Sequence, residues 1–382
     1  MNSYLKKLLN FSPPTPLISL PPQAQEDRKV QGSVFISYIT WPFKEGYHTP
    51  RARGHTNAFE VIAMATAYQQ LGYRVEIANH DEKNYRPASD CVLAIDLHGQ
   101  LEEWNKTLSP TCYRILHATG AHWLVANDAE LRRLLALRDR RGVVLLPRRQ
   151  VPPSHSAALA DQIVVLGNKY TMESFQFSGK PITRLPLSSA YEFPYPQERN
   201  ISLAKKKFLW IGSYGMVHKG LDFVLEAFAK MPELSLTVCG RPEKEEDFFH
   251  LYEKELLHTP NIHFHGWMDM ASEAFTHIAH THAAIIYPSC AEGGAGSVIH
   301  SMHAGMVPIC TKEASVDLGD FGISIKEGSP EAVMEAARQF ASLSDREAEE
   351  RSVASYAHAR TYHCRALFEK NYRAFATTLL GQ

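Results

Sequence analysis

Two glycine-bearing stretches in the second half of this 382-residue chain have the residue types and spacing to hold an anion. The first is FLWIGSYGMVHKGLD, residues 208–222, an apolar run that enters a loop with Gly212, Ser213, Gly215 and Gly220. Glycine lets backbone approach a ligand closely. Lys219 falls where a helix should begin, and the amides and dipole of a helix start already favour negative charge, so a lysine there suits a diphosphate. The spacing spells neither a Walker loop nor a dinucleotide fingerprint. The second stretch is IIYPSCAEGGAGSVIHSMHAGMVPICT, residues 285–311. Its apolar run ends at Pro288–Ser289, and Glu292, Gly293, Gly294, Ala295, Gly296 and Ser297 lead into a helix, offering bare amides to a phosphate. The Glu292 carboxylate is awkward beside a phosphate unless it contacts something neutral, such as a sugar hydroxyl. As an ordinary turn residue it would favour the helix dipole by only about 0.3–1 kcal/mol.

Taken together, the order and spacing of these stretches resemble the C-terminal domain of retaining GT-B glycosyltransferases, most closely glycosyltransferase family 4 (group 1). Gly212, Lys219, Gly220 and Leu221 match that family's first motif. Pro288, Ser289, Glu292, Gly293, Ala304, Gly305 and Pro308 match its second. The resemblance covers about residues 205–345 well and the first half more loosely. Two positions depart from it. Ser213 stands where the family usually has a phosphate-binding Arg, and His300 stands where a second Glu usually holds the nucleotide ribose.

The resemblance implies a GT-B architecture, two doubly wound Rossmann-like domains facing a central cleft, and transfer of a sugar from a nucleotide-sugar donor. Lys219 and the amides of Gly293–Ser297 would stabilise the leaving diphosphate, with Gly212, Ser213, Gly215 and His300 around the donor. Glu292 would orient a donor-sugar hydroxyl, and the acceptor proton would pass to the leaving phosphate with retention at the anomeric carbon. On the acceptor side, the resemblance brings Gly54, His55 and Thr56 to the cleft and sets His117 or His122 facing the donor sugar; the sequence does not choose between the two histidines. The donor is a substrate with its base unspecified, and no cofactor is implied. The implied acceptor is a glycan or lipid-linked glycan. Alternative readings are a non-catalytic sugar- or nucleotide-binding relative, or another GT-B enzyme such as a sugar-nucleotide epimerase. A dehydrogenase fits poorly, because no G-x-G-x-x-G follows the first strand.

The elements that must position these residues alternate strand with helix, which implies parallel sheets covered on both faces. In the first half, strands are expected at 34–39, 74–78, 91–97, 113–116, 143–146 and 163–166. Helices are expected from Asn57, as cap, to Leu71 and over 129–137. In the second half, strands are expected at 208–211, 236–239, 262–264, 283–287 and 307–310. Helices are expected at 221–230, 243–257, 271–279, 296–304, 330–341, 346–360 and 365–380. The expected layout is a Pro-rich arm over 1–32, an acceptor-side domain with linker over 33–200, a donor domain over 201–362, and a last helix over 363–382 packing back on the first domain.

The net charge of -1 excludes a global basic excess of the kind that meets nucleic acid, yet it hides two unlike halves. Residues 1–200 carry 23 Lys+Arg against 18 Asp+Glu, and residues 201–382 carry 17 against 23. The basic excess concentrates at Arg132, Arg133, Arg138, Arg140, Arg141, Arg148 and Arg149, a patch that would suit an anionic polymer or lipid surface if solvated. Leu5, Lys6, Lys7, Leu8 and Leu9 could lie on the same surface. The six scattered cysteines have no C-x-x-C pair, which fits a reducing compartment. No run of about 18 apolar residues is present. The expected location is therefore cytoplasmic, at most peripheral to the inner membrane face. His277, His280 and His282 straddle a helix end and a strand start, so their side chains should diverge rather than share a metal. No D-x-D occurs, so no metal-held donor site is expected.

Overall fold

The computed structural model describes residues 15–23, 31–53, 55–97 and 99–381. Gly54 and Leu5, Lys6, Lys7, Leu8 and Leu9 lie outside them. The chain forms two sheets. The first runs β1 (Ile18–Leu20), β3 (Arg74–Asn79), β2 (Ser33–Tyr38), β4 (Cys91–Asp96), β5 (Tyr113–Ala118), β6 (Gln162–Val165) and β7 (Ile182–Arg184) in spatial order. All its pairs are parallel except β1 with β3. The second runs β10 (Ile262–Gly266), β9 (Ser235–Cys239), β8 (Lys207–Ile211), β11 (Ala284–Tyr287), β12 (Val307–Cys310) and β13 (Ile323–Ser324), and is wholly parallel. Strands such as VFISY and FLWI are buried on both faces, as parallel strands under two helix layers must be. Strand order reverses between β2 and β4 in one sheet and between β8 and β11 in the other. Such switch points open a crevice at the carboxyl ends of the strands.

Several expectations are corrected. Residues 143–146 are not a strand: Val144 is 74% exposed and pairs with nothing, and the segment is a crossing that carries Arg148 and Arg149 to the second domain. The helix expected over 243–257 breaks at Tyr252, whose buried ring and φ of -112° separate Glu246–Leu251 from Glu253–His258. The cap of helix Asn57–Gln70 is Thr56, not Asn57. Inside the expected Pro-rich arm, Ile18–Leu20 pairs with β3. The short strands β1, β7 and β13 were not foreseen, because two or three residues give no periodicity to read.

Three features lock the halves together. The segment after β7 is bolted down: Ser188 donates from N and Oγ to Glu60, each at 2.9 Å, and Ala190 N donates to His300 at 2.7 Å. Helix Arg365–Leu380 returns to helix Asn57–Gln70, with the Tyr68 and Tyr372 rings edge-to-face at 6.0 Å and Phe368 against Phe59. The third feature is the arginine run, four members of which are not solvated but reach the second domain. On and after helix Trp123–Arg141, Arg133 donates to Pro288 O at 2.9 Å and lies over Phe223. Arg140 pairs with Asp222 at 2.7 Å and Glu226 at 3.0 Å, Arg141 with Glu255 at 3.0 Å, and Arg148 with Asp247 at 2.7 Å. The basic half thus grips the acidic half. Arg132 and Arg138 pair only with Asp128 and Asp139 on their own helix.

Candidate active site

Between the two switch points lies a cleft of about 890 Å³. That is the size of a small-molecule site. From the second domain, Ile211–Gly212–Ser213 at the end of β8, Gly240–Arg241 after β9, Trp267–Met268 after β10 and the loop after β11 line it. From the first domain come His55, Thr56, Asn57, Glu60, His80, Thr119 and Arg149.

The floor is a buried ion pair. Lys219 Nζ donates to Glu292 Oε1 at 2.7 Å and to Tyr287 OH at 2.8 Å, and only 10% and 11% of the Lys219 and Glu292 side chains are exposed. Glu292 Oε1 also accepts from Tyr287 OH at 3.3 Å and Ser289 Oγ at 3.2 Å; these bonds all converge on Oε1 and none on Oε2. Burial alone would raise the Glu292 carboxyl, but Lys219, His218 and Arg149 hold it down at about 2. Burial likewise works against the Lys219 ammonium, yet Glu292 and Tyr287 raise it above its ordinary value. Both groups are therefore charged at neutral pH.

Glycines make this geometry attainable. A Cβ on Gly212 would lie 2.8 Å from the Trp210 ring and 3.0 Å from Lys219 Cδ, so the bare backbone lets the lysine stem lie flat. Gly220 has φ +73°, and a Cβ there would lie 2.3 Å from Pro288 O, which brings the two motif loops into contact. Gly293 touches the other domain: its Cβ would lie 2.3 Å from Thr119 O. Beyond it, helix Gly296–His303 opens with no side-chain cap, leaving its first amides for a ligand.

Other predicted residues fall differently. Gly215 is not on the cleft wall; its amide donates to the buried Glu245 at 2.5 Å, so it offers nothing to a phosphate. Its missing side chain instead makes room for Arg149, whose Cγ lies 2.5 Å from where a Cβ would be. Ser213 is exposed at the rim, and Gly294, Ala295, Gly296 and Ser297 line the cleft. His300 lines it too, but its Nε2 accepts the Ala190 amide, which assigns the neutral tautomer with Nδ1–H. Burial pushes its pKa down to about 3, so the ring can donate a hydrogen bond but cannot act as a carboxylate-like acceptor. His55 and Thr56 line the first-domain wall.

Neither His117 nor His122 reaches the cleft. Side chains alternate along a strand, and His117 points into the core between Tyr38 and Tyr372, fully buried, with both ring nitrogens unpartnered and a pKa pushed down to about 4 by burial. His122 precedes helix Trp123–Arg141 and packs on Phe175 and Phe177. The cleft residue at this strand end is Thr119. The sequence reading also missed Glu60, a fully buried carboxyl on the cleft wall. Burial raises its pKa to about 7 against bonds from Ser188 and Thr56, and its Oε2 has no partner. A Glu inside an otherwise apolar helical stretch, AFEVIAMA, was the available signal.

Among the described residues, no group of three His, Cys, Asp or Glu side chains could hold a metal ion. His277 and His280 are exposed, while His282 is buried and bonded to Thr237 Oγ1 at 2.8 Å. The six cysteines are free thiols. No helix among the described residues is long and apolar enough to cross a membrane.

Comparison with known proteins agrees with this fold. Residues 205–342 match the family described as glycosyl transferases group 1. The chain has the GT-B fold seen in solved glycosyltransferases, over 92% of its length. It is similar to WaaG, described as a glycosyltransferase involved in lipopolysaccharide biosynthesis, at 17% identity and TM-score 0.56, covering 92% of this chain and 100% of that one. It is similar to a sucrose-phosphate synthase from Thermosynechococcus elongatus at 12% identity and TM-score 0.62, covering 92% and 99%. It is similar to a TarM mutant of S. aureus, solved with fondaparinux, alpha-GlcNAc-glycerol and UDP, at 14% identity and TM-score 0.53, covering 74% of this chain. The chain spans only 55% of TarM's length. No curated protein matches it in sequence.

Proposed function

We propose that this protein transfers a sugar from a nucleoside-diphosphate sugar to a hydroxyl of a glycan or lipid-linked glycan, with retention at the anomeric carbon. The observation that carries the reading is the Lys219–Glu292 pair on the cleft floor, beside an uncapped helix start. Lys219 and the amides at Gly296 and Ser297 hold the diphosphate and take up the charge that grows on it as the anomeric C–O bond breaks. They act in a low-dielectric site and need no reorganisation at that moment. Oε1 of Glu292 is committed to Lys219, Tyr287 and Ser289, which leaves Oε2 to accept a hydroxyl of the donor sugar. The acceptor oxygen bonds to the anomeric carbon on the face the phosphate leaves, and its proton passes to the departing phosphate oxygen. No side chain has to take that proton, which is consistent with His117 and His122 both lying away from the cleft. In this reading Lys219 and the helix amides take up part of the diphosphate charge, and the chemistry calls for no metal ion or cofactor. The second-domain loops carry the donor; His55, Thr56 and Thr119 face the acceptor.

Because TarM was solved with UDP, UDP-sugars are the first donors to test. The protein is screened by thermal shift against UDP, GDP, ADP, CDP and dTDP. A ligand at about 100 times its dissociation constant adds about 2.7 kcal/mol of stability. The stabilising base then selects the nucleotide sugars for a release assay with glycan acceptors. Silence across the panel, or binding without release from any donor, refutes the transferase reading. The second outcome would leave a nucleotide-binding protein.

A further inference from the structure

We propose that Arg149, carried by the first domain, supplies the second cation for the donor diphosphate, the position that Ser213 leaves neutral. This rests on the reading that the cleft takes a nucleoside diphosphate. The other arginines of its run that reach the second domain are committed: Arg133 to the Pro288 carbonyl, and Arg140, Arg141 and Arg148 to carboxylates. Among the described residues the Arg149 guanidinium has no hydrogen bond and no ion pair, and it is exposed on the cleft wall.

Its position is built. The buried Glu130 accepts the amides of Arg148 and Arg149 at 3.0 and 2.8 Å and the Gln150 side chain at 2.7 Å, fixing the backbone from which Arg149 reaches across. The side chain then passes over the bare Cα of Gly215, where a Cβ would lie 2.5 Å from Arg149 Cγ and 3.0 Å from its Cδ. Any other residue at position 215 would block that path, and the φ of +81° there disfavours one independently. Arg149 arrives close enough to act on the charges of the floor. Both Glu292, held low after burial is overcome chiefly by Lys219, and Lys219 itself register it. The other arginine of the cleft without an ion pair among the described residues, Arg241, lies 5.1 Å from the Trp267 ring at the ends of β9 and β10.

A guanidinium matches phosphate oxygens in a planar fork and cannot lose its charge. Next to Lys219, whose charge is already offset by Glu292, it gives the site a second cation and a net positive charge for the diphosphate to meet. Because the contact comes from the opposite domain, the complete site exists only while the two domains are closed on each other.

Binding is measured by calorimetry with UDP, GDP and inorganic pyrophosphate as probes, and with uridine and guanosine as chargeless controls. Arg149→Ala should weaken the probes that bind by about ten- to a hundredfold, the range of one charge-assisted contact. It should leave nucleoside binding and the melting temperature unchanged. Arg149→Lys should recover part of the loss. Ser213→Arg in the Arg149→Ala background should restore affinity, since it returns the missing cation from the second domain. Arg132→Ala, an equal change of net charge on an exposed helix face, should have no effect. Unchanged affinity in Arg149→Ala, or a loss matched by Arg132→Ala, overturns the proposal while leaving the nucleotide reading intact. Failure of the wild type to bind every probe overturns both.

Discussion

Replacing Glu292 by Gln is the sharpest test of the cleft floor, because it has separate consequences for stability and for binding. The wild-type carboxyl is drawn from an ordinary 4.5 to about 2, chiefly by Lys219 against the effect of burial. At about 1.4 kcal/mol per tenfold change in proton affinity, the charged form contributes about 3 kcal/mol to the folded state at pH 7. A folded-state value below the unfolded one means that this stability is present above pH 4.5 and is lost as the pH falls towards 2. Glu292→Gln keeps the shape and the acceptor at Oε1 but removes the charge. Urea unfolding should therefore show the variant less stable by about 3 kcal/mol at pH 7 and by only about 1 kcal/mol at pH 3. Removing a carboxylate from beside the diphosphate should at the same time tighten UDP binding, while turnover falls at least about a hundredfold for want of the sugar-hydroxyl acceptor. A variant as stable as wild type at pH 7, or a deficit that does not shrink in acid, refutes the buried pair. Looser UDP binding refutes the placement of the phosphate beside it.

Glu60 should behave in the opposite sense. Its folded-state value is raised to about 7 by burial, so the protonated form stabilises the fold below pH 4.5 and that contribution is lost as the pH rises to 7. In urea unfolding, Glu60→Gln should equal wild type at pH 4.5 and exceed it at pH 8, by up to about 3 kcal/mol; equality at pH 8 would mean the carboxyl is not desolvated. Gly293→Ala places a methyl 2.3 Å from Thr119 O and 2.5 Å from Gly120 N, both backbone atoms that cannot swing aside. The two domains should part, with a larger radius of gyration in small-angle scattering and weaker UDP binding at unchanged helix content, and a scattering curve superimposable on wild type would show that the contact is not held in solution.

The donor side of the site was legible because its chemistry sits in two short loops. A strand, a glycine and a lysine at the head of a helix, then Pro288–Ser289 and Glu292–Gly293, mark two loops by local spacing, and the structure brings both to one cleft floor; the doubly wound class follows from doubly buried strands. The first-domain side was not, since its residues come from seven separate segments that only the tertiary fold gathers. His117 illustrates the difficulty. Its place at a strand end is visible in the sequence, but one residue of register decides between cleft and core, and the core face won because Tyr38 and Tyr372 enclose it. Gly215 was read as making room for a ligand; the neighbour it admits is a side chain from the other domain, and no local pattern could show that.

The charge asymmetry between the halves has the same origin. A phosphate site in an acidic domain cannot draw on a general positive field, so its cations must be local. Lys219 is one, but it is already paired with Glu292. Four acidic residues of this domain outside the cleft, Asp222, Glu226, Asp247 and Glu255, meet the arginines of the other half instead. That arrangement gives the interface its register. Arg140 on Asp222 and Arg148 on Asp247 set the crossing segment in place, and the residue after Arg148 is then delivered to the cleft. Net neutrality here comes from a division of labour: the acidic domain builds the pocket, and the basic domain both closes it and brings it charge.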